Sequence, residues 1–335
     1  MDGLDPRISA GGWEVQPGMV IEPLTGAEPT MTQIHVDKPL QNMTAASIGQ
    51  DYPALRLFGE VTVVHESDKY HTYDLGDTRR AESDEIAVAG EAQEIAYAVG
   101  QGTYTLAERG LKIVVADRII RNADSPLDPL ADGARIVANQ LALSRAKAIS
   151  DYASTAANYT NSETLAGANQ WSDQNSSPLD AIRTKAAEIE LNLGRWPTVF
   201  AMGRTTWLDL LKHQDIADVI ASTSDKTPGA MMQALAAQLM VDEVIVLTES
   251  YTSSNRGQTD AFTRVWADDA VLLVRDRAPS LMSIQFGSWM VQRGRKFAVR
   301  RWRNEERAAW VVEVRITDGI EQISALGGYC WKDTN

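Results

Sequence analysis

The residues through which this chain could do chemistry are four histidines, one cysteine, an aspartate pair, an acidic cluster, one lysine and a basic stripe. His35, His65, His71 and His213 form no HExxH pair. His65 and His71 flank a polar stretch without carboxylates at metal-ligand spacing, so all four read as surface polar residues. Cys330, alone in the sequence, can close neither an internal disulfide nor a Cys-based zinc cluster. Asp268-Asp269 could ligate a divalent ion, but its composition after a tryptophan is that of a β-turn. Gly203-Arg204-Thr205-Thr206 lacks the lysine and the leading glycine of a phosphate loop. Gly287-Ser288 lacks the rest of a nucleophile elbow, and Gly100-x-Gly102 has no following helix at dinucleotide-binding spacing. No catalytic residue, metal ligand or cofactor site is therefore assigned.

The charged groups suggest contact rather than catalysis. Glu82, Asp84, Glu85, Glu91 and Glu94 cluster where a hairpin tip would lie, solvated or facing a partner. Lys69, on the outgoing strand, reads as an exposed salt-bridging lysine or a chemically special one. Between Trp289 and Arg307 seven basic residues (Arg293, Arg295, Lys296, Arg300, Arg301, Arg303 and Arg307) face Glu305 and Glu306, in a chain whose net charge is -13. They alternate with Phe297, Val299 and Trp302, so a strand would gather arginines on one face. Pairing with acidic residues of a neighbouring copy, nucleic-acid contact and plain solvation are the three readings of that stripe. The overall acidity argues against nucleic-acid binding through the whole surface.

These groups need elements to position them. The 335 residues leave room for about two domains, and 44% hydrophobic content suffices for a core. Neither a signal peptide nor an apolar run long enough for a membrane helix is read. Residues 1 to about 50 are punctuated by Pro6, Pro17, Pro23, Pro29, Pro39 and several glycines, as in an irregular arm that needs something to hold it. From Gly59 to about Ala107 the pattern is a long, polar, two-stranded excursion with little core of its own. Apolar spacing predicts a helix over Pro129 to Tyr152, opened by Asp128-Pro129. A second helix follows, with Ser177 as cap, Pro178 at its first position and Gly194 as stop. Helix and strand then alternate to about Asp276: TVFAMG as strand, RTTWLDLLKHQDIADVIAS and PGAMMQALAAQLM as helices, DEVIVLTES as strand. Longer strands occupy the chain from Ser280 onward.

This order of segments resembles tailed-phage major capsid proteins and the related encapsulins, which share the Hong Kong 97-type fold. The stretch LQNMTAASIGQDYPALRLFGEVTVVHESDKYHTYD precedes the excursion. VFAMGRTTWLDLLKHQDIADVI resembles that family's strand and helix with a His-x-Asp-Ile element, ALAAQLMVDEVIVLTESY its helix-to-strand step, and VWADDAVLLVR its Trp-containing strand. The similarity runs from about Leu40 to Trp331. It implies an α+β fold with an N-terminal arm (1–50), an extended loop (59–107), a peripheral domain with a long spine helix (51–58, 108–160 and 279–320) and an α/β axial domain (161–278 and 321–335). It further implies self-assembly into pentamers and hexamers of an icosahedral or prolate shell around double-stranded DNA. No cofactor or membrane is involved. Scaffolding, portal and decoration proteins would be partners, packaged DNA a weak and non-specific one. Synthesis would take place in the bacterial host cytoplasm. Lys69, Glu82, Asp84, Glu85, Arg293, Arg295, Arg300, Arg301 and Arg303 become candidates for contact between copies. Near the position of Ser144-Arg145 relatives often carry a glutamate, which puts any salt bridge placed there in doubt, and a built-in scaffolding domain is not expected. A nanocompartment shell with protein cargo and, more distantly, an α/β enzyme built on residues 178–276 are the alternatives.

Overall fold

The computed structural model describes residues 52–73, 76, 79–81, 84–86, 90–92, 94–95, 98–123, 128–221, 227–255, 257–280 and 283–335. The arm expected over residues 1–50, with His35, and the candidate contact residue Glu82 lie outside them. In chain order the elements are β1 (Gly59–Val63), β2 (Ser67–Tyr73), β3 (Val99–Thr105), β4 (Ala107–Ala116), α1 (Asp117–Arg121), α2 (Pro129–Ser154), β5 (Ser162–Thr164), α3 (Pro178–Leu193), β6 (Val199–Gly203), α4 (Arg204–Lys212), α5 (Gln214–Ala221) and α6 (Pro228–Leu239). There follow β7 (Glu243–Leu247), β8 (Ser250–Thr252), β9 (Phe262–Arg264), β10 (Ala270–Leu273), β11 (Gly287–Gln292), β12 (Ala298–Asn304), β13 (Ala309–Gln322) and β14 (Gly328–Lys332).

Two five-stranded sheets organise the chain. The first runs β1-β11-β13-β12, with β4 on the opposite side of β13. β13 is long enough to pair antiparallel with β12 over its first half, β11 over its last residues, and β4 from Ala309 to Asp318. The second runs β5-β14-β10-β6-β7. Its central strands β6 and β10 are buried throughout, as continuous apolar runs covered on both faces should be.

The helix α2 accounts for one of those covers. Asp128 opens it by accepting the N–H groups of Leu130 and Ala131, with Pro129 where no donor is needed. Its 26 residues span about 39 Å. The side chains on its buried face are mostly small: Ala134, Ala138, Ala142, Ala146 and Ala153, with Val137, Leu141 and Ile149 between them. They pack in one cluster with Val299, Val312, Val314 and Ile316 of the first sheet and Val199, Ala201, Val271 and Cys330 of the second. Each larger aliphatic buried there stabilises by about 1.5–3 kcal/mol. On the other face of the second sheet, Ile182, Ile189 and Leu193 of α3, Leu210 of α4 and Leu235 and Leu239 of α6 enclose Phe200, Met202, Leu272 and Trp331.

Four expectations are corrected. The strand β1 is not part of the polar excursion: Val61 and Val63 face inward, and β1 pairs in parallel with β11, from Gly59 opposite Ser288 to Val63 opposite Gln292. The excursion starts later, with β2 and β3 paired from Ser67–Thr105 to Tyr73–Val99. The helix expected from Arg204 to Ser222 is two helices, because His213 is extended and buried. Its Nδ1 accepts the N–H of Asp215 and its Nε2 lies 3.3 Å from Ser176 Oγ, so the ring starts α5 rather than sitting on the surface. Ser177 precedes α3 as expected, but its hydroxyl makes no capping hydrogen bond.

Candidate assembly surfaces

The β2–β3 hairpin is anchored at one end. Tyr104 and Leu106 pack on Val61, Val63 and Met290, with Tyr70 and Ile323 alongside. Leu106 N–H donates to Glu66 O at 2.7 Å and Tyr104 Oη to His65 O at 3.3 Å. The backbone approaches closely here, since a Cβ on Gly319 would stand 2.9 Å from Thr105 O. Past this base the hairpin exposes apolar groups, Ile86, Ile95 and Val99, of which Ile95 is 68% exposed. Lys69, Asp84 and Glu85 are exposed with them. Among the described residues no ion pair engages the Lys69 side chain.

Much of the basic stripe is paired within its own chain. Lys296 pairs with Glu60 at 2.5 Å and Arg295 with Glu108 at 3.7 Å. Arg300 pairs with Glu313, and Arg303 with Asp117 at 2.8 Å and Glu305 at 2.7 Å. Arg315, outside the stripe, joins Glu108 (3.0 Å) to Glu313 (2.8 Å), so an alternating chain of charges crosses β4, β13 and β12. Arg300 also stacks on Trp302, and Arg301 lies 5.9 Å from the Trp310 ring centre. Arg293 is exposed. The stripe therefore braces an edge strand whose free side carries charge, a usual guard against unwanted strand pairing.

Sequence reasoning missed the most buried charge among the described residues. Asp318 is 1% exposed, at the point where β13 passes from β12 to β11. Its Oδ2 accepts the indole N–H of Trp289 at 2.8 Å and its Oδ1 accepts from Arg109 Nη1 at 2.8 Å. Arg145 of α2 reaches the same oxygen at 3.6 Å. Burial holds the Arg145 guanidinium below its ordinary pKa, with Asp318 opposing the shift. One carboxylate thus ties three strands of the first sheet, β4, β11 and β13, to the long helix. No local pattern could have revealed it, because the partners lie 29 to 209 residues away.

Other candidate groups are structural. Asp269 is buried and paired with Lys332; burial raises its pKa and Lys332 opposes that. Asp268 Oδ1 accepts from Thr205 at 2.7 Å and Asn335 at 3.0 Å, so the aspartate pair clamps the C-terminal residues. Cys330 is buried, which pushes its thiol up to about 12, far from the range of a reactive thiolate. Glu249 accepts the Ala54 N–H at 2.7 Å, and Glu243 pairs with Arg56 (3.2 Å) and Arg275 (2.8 Å). These bonds fasten the segment before β1 to the second sheet.

Comparison with known proteins gives the arrangement a context. Residues 148–286 match the family described as Phage major capsid protein E. Over 220 residues the chain is 26% identical to the major capsid protein of Pseudomonas phage JBD67, covering 65% of this chain and 70% of that one. A phage-related protein from Bordetella bronchiseptica RB50 superposes with a TM-score of 0.70 at 19% identity, covering 90% of this chain and 98% of the other. The capsid of Cyanophage P-SCSP1u superposes at 0.54 and 10% identity over 94% and 93%. For a virus-like particle from Pyrococcus furiosus the values are 0.56 and 12% over 88% and 98%. At such identities the structures speak to the fold.

Proposed function

We propose that this chain, a phage major capsid protein with the Hong Kong 97-type fold, works as the repeating subunit of a closed head shell. The observation that carries the reading is the capsid-family match over residues 148–286, within a chain that superposes on a phage capsid along 94% of its length. The physical chemistry of the hairpin supports it. A two-stranded ribbon, with Val99 exposed on it and Ile86 and Ile95 exposed in the segment joining its strands, is marginal alone and gains a partner by lying on another copy.

In this reading the subunits pair head to tail around closed rings, forming pentamers and hexamers. The first sheet with α2 serves as the peripheral domain, and the second sheet with α3 to α6 as the axial one. Residues 64 to 106 form the extended loop, shortened at its start because β1 belongs to the first sheet. Lys69, Asp84, Glu85 and Arg293 are the exposed charges offered to neighbouring copies. Arg295, Arg300 and Arg303 act by shaping the edge they brace, and Arg301 flanks them there. Double-stranded DNA fills the shell, weakly repelled by an acidic wall. Portal, scaffolding and decoration proteins are further partners, and the chain needs no catalytic step to act.

Negative-stain microscopy of the purified chain tests this. Closed particles are the expected result, with DNA as content in the infected cell. Monomers or dimers alone at every concentration, even with a scaffold co-expressed, would overturn the shell. Particles filled with an enzyme cargo instead of DNA would make it a nanocompartment.

A further inference from the structure

The outgoing arm of the hairpin touches its own subunit. Arg79, itself exposed, donates from Nη1 to the carbonyl of Asn192 at 2.8 Å. Its guanidinium lies 3.2–3.5 Å from where a Cβ on Gly194 would stand. Gly194 closes α3 in the left-handed conformation at φ +77°. The chemistry of the seat is specific. The last carbonyls of a helix lack intrahelical donors and carry partial negative charge, so a guanidinium is favoured there. α3 has no basic residue in its own last turn, and glycine at 194 leaves the space that the Arg79 head occupies.

This contact is polar and on the surface, whereas Ile86 and Ile95 farther along the hairpin remain exposed. A weak polar contact on its own subunit and unburied apolar groups on the same hairpin suit two successive partners. We propose that Arg79 parks the hairpin on the C-terminus of α3 in the free subunit, and that docking on a neighbouring copy displaces it. The inference rests on the shell reading. Parking slows nucleation and shields the ribbon from premature pairing while subunits are dilute.

Arg79→Ala, Arg79→Lys and Arg79→Glu in the full-length chain test it by two measurements. Cleavage by a glutamate-specific protease, below the assembly threshold, reads the hairpin around Glu85, Glu91 and Glu94. Light scattering above the threshold reads the lag before particles form. Arg79→Ala should speed cleavage and shorten the lag, each by about two- to fivefold, the range of a helix-end charge contact. Arg79→Lys should stay near wild type, and Arg79→Glu, repelled by the helix end, should exceed Arg79→Ala. An unchanged or longer lag for Arg79→Ala overturns parking, and a longer one makes Arg79 a contact of the assembled shell. Unchanged cleavage overturns it equally. If the wild type forms no particles the shell reading falls, while the cleavage measurement still decides whether the hairpin is held.

Discussion

At Asp318 a single carboxylate faces the guanidiniums of Arg109 and Arg145 and the indole N–H of Trp289, with almost no access to water. Removing its charge would leave Arg145 buried beside a second cation. Asp318→Asn is therefore expected to lower stability by about 3–5 kcal/mol, the usual consequence of breaking a buried pair from one side. Urea unfolding measures it, and a loss below about 1 kcal/mol would show that the node is not holding the sheet to α2. Glu249 gives a pH-dependent counterpart. Burial raises its pKa, while the Ala54 N–H and the charge of Arg56 pull it down. The folded state thus binds a proton more tightly than the unfolded chain. Its contribution is fully present below the unfolded value near 4.3 and is lost as pH rises through the folded value. Glu249→Gln keeps an acceptor for Ala54 without the buried charge. It should match wild type at about pH 4 and be the more stable protein at about pH 8, by urea midpoints. A constant difference between the two pH values would contradict the assignment. Neither residue was legible in the sequence. An isolated acid in a strand pattern carries no mark of burial, whereas the acidic cluster and basic stripe were visible because their neighbours in sequence share their charge.

Elements were legible where the determining interaction is local. Asp128-Pro129 marks the start of α2 because cap and first turn are adjacent, and Gly194 marks the end of α3 because its left-handed φ is a property of one residue. Asp128→Ala removes the acceptor for two N–H groups and should cost about 1 kcal/mol, read as a lowered melting midpoint with the helix otherwise kept. A change of several kcal/mol would mean that the side chain supports more than the cap. Long-range pairing was hidden. Val61 and Val63 alternate as any half-buried strand does, and nothing in them announces a parallel partner some 230 residues later. The same holds for His213, whose effect depends on its hydrogen-bond partners Ser176 and the Asp215 N–H at the start of α5.

For the molecule as a subunit among copies, charge sets the terms of association. Each chain carries a net charge of -13, so approaching copies repel over distances comparable with the Debye length, about 10 Å at 0.1 M salt and 3 Å at 1 M. Against this, the exposed Lys69, Asp84, Glu85 and Arg293 would each contribute about 1 kcal/mol or less if paired with a neighbouring copy. The basic residues that could have offered more are neutralised by Glu60, Glu108, Glu313 and Asp117 of their own chain. In the proposed shell, attraction among these charges is too small to offset that repulsion, and apolar groups such as those exposed on the hairpin are expected to supply the driving force. Added salt weakens the repulsion and leaves apolar burial intact. The concentration at which particles first form should fall as salt is raised from about 0.05 M to 0.5 M, followed by light scattering across a dilution series. A threshold that rises with salt would mean that ion pairs between copies drive assembly.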